Sequence, residues 1–114
     1  MLDLFKMKIE QFENFICKSG QNAKENWNLL DQAKNHHVFL HLSSFPSGYV
    51  ILEYDEDSKL SQFMLHTAAQ ICKNNTKYKK MKNIKIDWCR CDNLKKGDMI
   101  GEVYFKSNKK VNQI

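Results

Sequence analysis

The sequence predicts an α+β fold, a mostly antiparallel sheet with two helices in a single domain. Three observations predict it. Two segments carry apolar residues at helical spacing, several short runs are rich in strand formers, and two of those runs are separated by residues that favour a turn and so a hairpin. Taken in order, Ile9, Phe12, Phe15 and Ile16 predict one or two short strands that end at the turn Ser19-Gly20. Asn22 then caps a first helix, and Glu25 three residues later completes a capping box with Asn in place of Ser or Thr. Ala23, Trp27, Leu30 and Ala33 follow at spacings of three and four, so one stripe of this helix faces the core. Val38–Leu42 and Tyr49–Leu52 are runs of β-formers, and the residues between them, including Pro46, favour a turn. They predict a hairpin. Ser58 is the expected cap of a second helix whose apolar face holds Leu60, Phe63, Met64, Ala68, Ile71 and Cys72 and which ends near Asn74-Asn75. Ile84–Trp88 alternates strictly and Glu102–Lys106 resembles it, so both predict strands with one buried face; Asp92–Gly97 between them reads as a turn or loop.

Composition narrows the function classes. The chain has 114 residues, 42% of them hydrophobic and 27% charged, which suits one folded core and excludes a disordered chain. No apolar run approaches the ~20 residues that cross a bilayer, and the opening Met1–Lys6 lacks the order of an export signal, so we expect no membrane insertion and a cytoplasmic location. There the four cysteines stay reduced. The net charge of +5 is uneven: Lys73–Lys96 holds nine basic residues against two acidic ones, a net +7, while the rest of the chain is −2. Charge concentrated in about one fifth of the length makes a local field that attracts a polyanion, although such runs also occur as solvated surface.

The order of short motifs resembles a known family. Gly20 with Asn22–Asn26, Val38–His41 with Pro46–Val50, Ala68-Ala69 on a helix, and Asp92–Lys96 before Gly101–Val103 are similar to the NFACT-R domain. The resemblance covers roughly residues 12 to 106 of a single 1–114 domain. It implies an RNA-binding module of ribosome-associated quality-control factors, a module that also occurs alone. Partners implied are RNA, with DNA as the other polyanion, and the ribosome or quality-control proteins. The chain departs from the family at two places. It has His37, Val38 and Phe39 where relatives carry an acidic residue, an aliphatic one and Trp, and Ser47-Gly48-Tyr49 where they tend to read Gly-Ser-His. The second change replaces a histidine by Tyr49, which keeps a polar ring and loses a proton-transfer role. At this length the large factors' accessory domains are not expected, so tail synthesis on stalled chains is not implied.

The candidate binding residues follow from both readings. Lys77, Lys79, Lys80 and Lys82 interleave with Tyr78, and Lys95 and Lys96 lie further along; ammonium groups suit phosphates as point charges. Arg occurs once, which argues against bidentate reading of guanine and for recognition by shape. Tyr78, Trp88 and Tyr104 are rings that could stack bases, but the alternation places Trp88 in the core. Asn22, Lys24 and Asn26 sit where a helix N-terminus follows a turn, a place that suits a phosphate and equally an ordinary cap. His41 points opposite to Leu40 and Leu42, so it is either a structural imidazole or a groove residue touching phosphate or ribose. Cys89 and Cys91 lack the C-x₂-C spacing of zinc sites and read as small buried side chains; even with His36, His37 and His66 nearby, no metal and no cofactor is expected. No nucleophile with a base, carboxylate pair or phosphate-cradling glycine loop stands at informative spacing, so the reading is a non-enzyme. Two rivals remain, an adaptor that docks its lysines on an acidic protein and a small enzyme using His41.

Overall fold

A computed structural model describes residues 7–114; the opening six residues, read above for an export signal, lie outside it. Eight strands and two α-helices follow in the order β1 (Lys8–Gln11), β2 (Phe15–Ser19), α1 (Ala23–Gln32), β3 (Val38–Leu42), β4 (Val50–Tyr54), α2 (Gln62–Asn74), β5 (Lys85–Arg90), β6 (Leu94–Lys96), β7 (Val103–Phe105) and β8 (Lys110–Gln113). Six of them make one sheet in the order β1-β2-β4-β3-β5-β8, and β6 pairs with β7 in a separate hairpin. Every pairing is antiparallel. The α+β class holds, with two helices as predicted.

Strands β3 and β4 are buried on both faces, which is why they read as continuous apolar runs rather than alternating ones. Side chains alternate across a strand. Val38, Leu40 and Leu42 of β3, with Val50 and Leu52 of β4, therefore pack on one face beneath Met64, Leu65, Ala68 and Cys72 of α2. Phe39 and Ile51 turn to the other face, where Leu29 of α1 and Val103 and Phe105 of the β6–β7 hairpin cover them. His41 shares that second face but lies at the strand's end, where it is half-buried.

Four details depart from the sequence reading. The second helix is capped by Ser61, whose Oγ accepts the Met64 N–H at 3.1 Å, while Ser58 closes a turn by donating its N–H to the Asp55 carbonyl. Leu60 consequently precedes the helix. Phe63 is 68% exposed, because starting the helix at Gln62 turns it away from the sheet. The segment Asp92–Gly97 is not simply a loop: Leu94–Lys96 forms β6 against Val103–Phe105, registered Leu94 to Phe105. Finally, Lys110–Gln113 is an edge strand on β5, a polar stretch without the alternation that signals a strand.

The doubly covered strands should dominate stability. Leu52→Ala, at a side chain fully shielded from solvent, is expected to cost ~2–5 kcal/mol by urea denaturation. The same truncation at the half-exposed Val111 of the sheet edge should cost well under ~1 kcal/mol.

Candidate nucleic-acid interface

A cavity of about 750 Å³ opens at the end of the sheet where β3 finishes and β4 begins. Four segments far apart in sequence build it: the N-terminus of α1, the β3–β4 turn, the residues that follow α2, and the tip of the β6–β7 hairpin. Close packing sets the first two walls. Asn26 accepts the Tyr49 N–H on its Oδ1 at 3.1 Å, and a Cβ at Gly20 would strike that same oxygen. A Cβ at Gly48 would overlap the Gly20 carbonyl oxygen, so both glycines are required by the close approach of two chain segments beneath the helix. The α1 cap forms much as predicted, with Asn22 Oδ1 accepting the Glu25 N–H at 2.9 Å. Glu25 reaches back by one residue more than a capping box, accepting the Gln21 N–H at 2.8 Å.

The other two walls are tied down as well. Asn75, the C-cap of α2, donates its Nδ2 to Ser19 Oγ at 3.0 Å and thereby anchors the end of α2 to the end of β2. Thr76 occupies the Lys73 carbonyl with its hydroxyl at 2.7 Å. The hairpin tip turns at Gly101 (φ 90°), which packs on Ala23, and Tyr49 donates its hydroxyl to the Gly101 carbonyl. Trp27 Nε1 donates to the Glu102 carbonyl at 3.1 Å, holding the same hairpin to α1.

Of the residues singled out from sequence, Asn22, Asn26, His41, Tyr49, Lys77 and Tyr78 all line this cavity. Lys24 is exposed on the first turn of α1 without lining it, and Lys79, Lys80 and Lys82 continue from Lys77 along the exposed α2–β5 loop. Among the described residues, none of those four loop lysines has a carboxylate within ion-pair distance. The other basic residues of the stretch behave differently. Lys96 is paired with Asp31 and lies over the Trp27 ring, Arg90 pairs with Asp92 at 3.0 Å, and Lys73 is buried with its Nζ 3.4 Å from the Ile114 carbonyl. Lys95 is exposed on β6, outside the cavity. Of the basic residues behind that +7, four unpaired lysines thus gather on one loop beside the cavity, while Lys85 and Lys95, also exposed and without an ion pair among the described residues, stand apart on β5 and β6.

The rings also sort themselves. Tyr49 is 5% exposed and packs edge-on against Phe39 and His41, so it is a wall of the cavity and offers no open face to a base. Trp88 is half-buried beside the α2-side core as the alternation predicted, with Nε1 bonded to Asn112 and Lys110 over its ring. Tyr104 is exposed on the hairpin away from the cavity. Tyr78 borders the cavity, with Phe45 4.4 Å from its ring and the Lys77 ammonium 5.5 Å away. Sequence reasoning missed Ile100 and Gly101, although an apolar Met99-Ile100 pair in a polar loop was a usable signal. Among the described residues no His, Cys, Asp or Glu cluster could hold a metal, and Cys17, Cys72, Cys89 and Cys91 are free thiols. Burial pushes the Cys89 thiol up to about 11 and the other three to about 12, so they are inert side chains. No helix among the described residues is long and apolar enough to cross a membrane.

Burial also lowers the His41 and His37 imidazoles below the usual 6.5, and His37 is held neutral by accepting the Lys34 N–H on Nδ1 at 3.1 Å. Below about pH 6.5 the unfolded chain binds protons that the native fold refuses, so these two residues subtract stability as pH falls. NMR titration should find His41 half-protonated below 6.5, and the urea midpoint should drop between pH 7 and pH 5.5. An imidazole titrating above 6.5 in the free protein would contradict its burial. Independently, Gly48→Ala should cost at least ~1–3 kcal/mol through the overlap with Gly20.

Comparison with known proteins agrees with this fold. A solved structure, that of the C-terminal of the fibronectin/fibrinogen-binding protein from Streptococcus suis, has the same fold, with a TM-score of 0.81 at 19% sequence identity. The match covers 100% of this chain and 46% of that one, so the chain spans less than half the length of the solved protein. No curated protein matches the chain. Residues 1–107 match the family described as NFACT protein RNA binding domain, nearly the whole sequence and the resemblance its motifs carried, and the chain belongs to that family.

Proposed function

We propose that this domain binds RNA without catalysing a reaction on it, and that the strand's phosphates lie along the α2–β5 loop lysines and continue to the mouth of the cavity. The carrying observation is the loop itself: Lys77, Lys79, Lys80 and Lys82 are exposed and unpaired among the described residues, while Arg90 and Lys96 are neutralised by carboxylates. Membership of an RNA-binding family supports RNA over other polyanions. Lysine ammoniums without arginine forks favour backbone contact with little sequence reading. Work at the ribosome, with quality-control proteins as neighbours, in the cytoplasm, is the setting that the family resemblance suggests.

The polar groups around His41 support a binding role over a catalytic one. Asp87 stands opposite His41 across the β3–β5 pairing, yet its oxygens are taken by the Ser43 hydroxyl at 2.6 Å and the Lys109 ammonium at 2.9 Å. Ser47, a hydroxyl residue lining the same cavity, accepts the Leu42 N–H and donates to the Gly48 carbonyl, each at 3.1 Å. A nucleophile and an orienting carboxylate are thus each committed to structure.

Fluorescence anisotropy with labelled RNA and DNA over a salt series tests the proposal. Four phosphate contacts on a single strand predict a log–log salt slope near −3, and the combined Lys79→Glu, Lys80→Glu, Lys82→Glu variant should bring it toward about −1 with the fold intact. Lys95→Glu should change affinity far less. Absence of micromolar RNA binding by the unaltered protein would refute the proposal, and tighter binding to an acidic protein than to any oligonucleotide would favour an adaptor.

A further inference from the structure

We propose that the cavity receives one unpaired nucleotide of a single RNA strand, its phosphate against the α1 N-terminus and the Asn26 amide nitrogen, its base between the Tyr78 and Ile100 side chains. The inference rests on the RNA-binding reading and goes beyond it, from a strand lying on a lysine loop to a strand that inserts a nucleotide.

Asn26 carries the argument. Its side chain is 7% exposed and lines the cavity, and its Oδ1 is fixed by the Tyr49 N–H. That fixes the other end of the amide as well. Its Nδ2 has no hydrogen-bond partner among the described residues, and no side-chain nitrogen or oxygen sealed from solvent lacks one, so the amide nitrogen opens on the cavity. A donor this deep, aimed into an open space, is satisfied at greatest gain by an anionic oxygen.

The helix adds donors beside it. Helix α1 is ten residues long, and the Ala23 and Lys24 N–H groups carry no bond among the described residues. Its N-terminal partial positive charge favours a phosphate at the same spot. Glu25, the acidic residue of that turn, is 2% exposed, accepts the Gln21 N–H and does not line the cavity. Lys77, on another wall, brings a full positive charge to the cavity lining.

The apolar lips make the ligand a nucleotide rather than a bare phosphate. Ile100 is 62% exposed at the hairpin tip and lines the cavity opposite the Asn75–Tyr78 wall, so a base entering there covers apolar surface that water otherwise wets. Lys77 stands 5.5 Å from the Tyr78 ring, and its flexible stem lets it leave the ring for the phosphate as a base takes its place. A duplex keeps its bases stacked inside and cannot fill such a concavity; an unpaired nucleotide can.

Two measurements on the full chain decide it. In ¹H–¹⁵N spectra, uridine 5′-monophosphate should shift the Asn26 side-chain amide and the α1 amides together with Tyr78 and Ile100, inorganic phosphate should shift the Asn26 side-chain amide and the α1 amides alone, and uridine should shift neither group strongly. By anisotropy, unpaired RNA should bind about tenfold or more tightly than a blunt duplex. Asn26→Asp keeps the acceptor for the Tyr49 N–H and puts a carboxylate oxygen where the donor was, so it should lose about tenfold in single-strand affinity. Should that variant fail to fold, Ile100→Ser at an exposed position should weaken single-strand binding several-fold and leave duplex binding unchanged. Equal affinity for both RNA forms, with Asn26→Asp and Ile100→Ser binding as the unaltered protein while the triple lysine reversal still loses binding, would overturn the cavity assignment and keep the lysine-loop reading. Failure of the unaltered protein to bind any RNA would remove both.

Discussion

Burial of β3 and β4 on both faces is the constraint from which the rest of the architecture follows. A strand covered on one side could face water with polar residues, but Val38-Phe39-Leu40 and Val50-Ile51-Leu52 are apolar at every position and need two covers. Helix α2 supplies one. The other is assembled from α1 and the β6–β7 hairpin, neither of which is large enough alone. Each fully buried aliphatic side chain contributes ~1.5–3 kcal/mol, so completing the second cover is worth the ordering of a short hairpin that would not be stable by itself.

The cavity is what remains where that second cover stops. The hairpin reaches α1 through Gly101 on Ala23 and the Trp27 bond to Glu102, and Tyr49 fastens its hydroxyl to the tip. Beyond these ties His41 is left half-buried and the buried Asn26 lines the cavity beside a helix N-terminus. Polar groups at this spot are therefore a product of the packing, and an apolar lip beside them comes from the same hairpin. The lysine loop follows because α2 ends at this edge, anchored by Asn75 on Ser19.

Much of this was legible in the residues. Asn22 with Glu25 announced the start of α1, the two apolar runs around Pro46 announced the central hairpin, and the alternation from Ile84 to Trp88 announced β5. The ordered motifs also named the family, and six of the twelve candidate residues share one cavity. What escaped was tertiary in origin. Strands β6 and β8 are three and four residues long and mostly polar, and they are strands because a partner is already in place. Ser58 and Ser61 are equally good caps in sequence, and only the docking of Met64 and Leu65 on the sheet selects the second. Total charge could not say that Asp31 would neutralise Lys96, since that pairing joins residues far apart in sequence and depends on where the hairpin lies, nor that Arg90 would turn to Asp92, two residues along.

The central claim is that the α2–β5 lysines and the cavity at the start of α1 form one continuous RNA-binding surface. Cross-linking of a short single-stranded RNA carrying a photoreactive uridine at each position in turn, with the attached peptides identified by mass spectrometry, tests it most directly. The account predicts adducts confined to the Lys77–Lys82 loop, the hairpin tip at Ile100 and the β3–β4 turn, with the loop and the cavity marked by adjacent nucleotides of the same strand. Adducts concentrated on β8 or around Trp88, with the cavity unmarked, would contradict it.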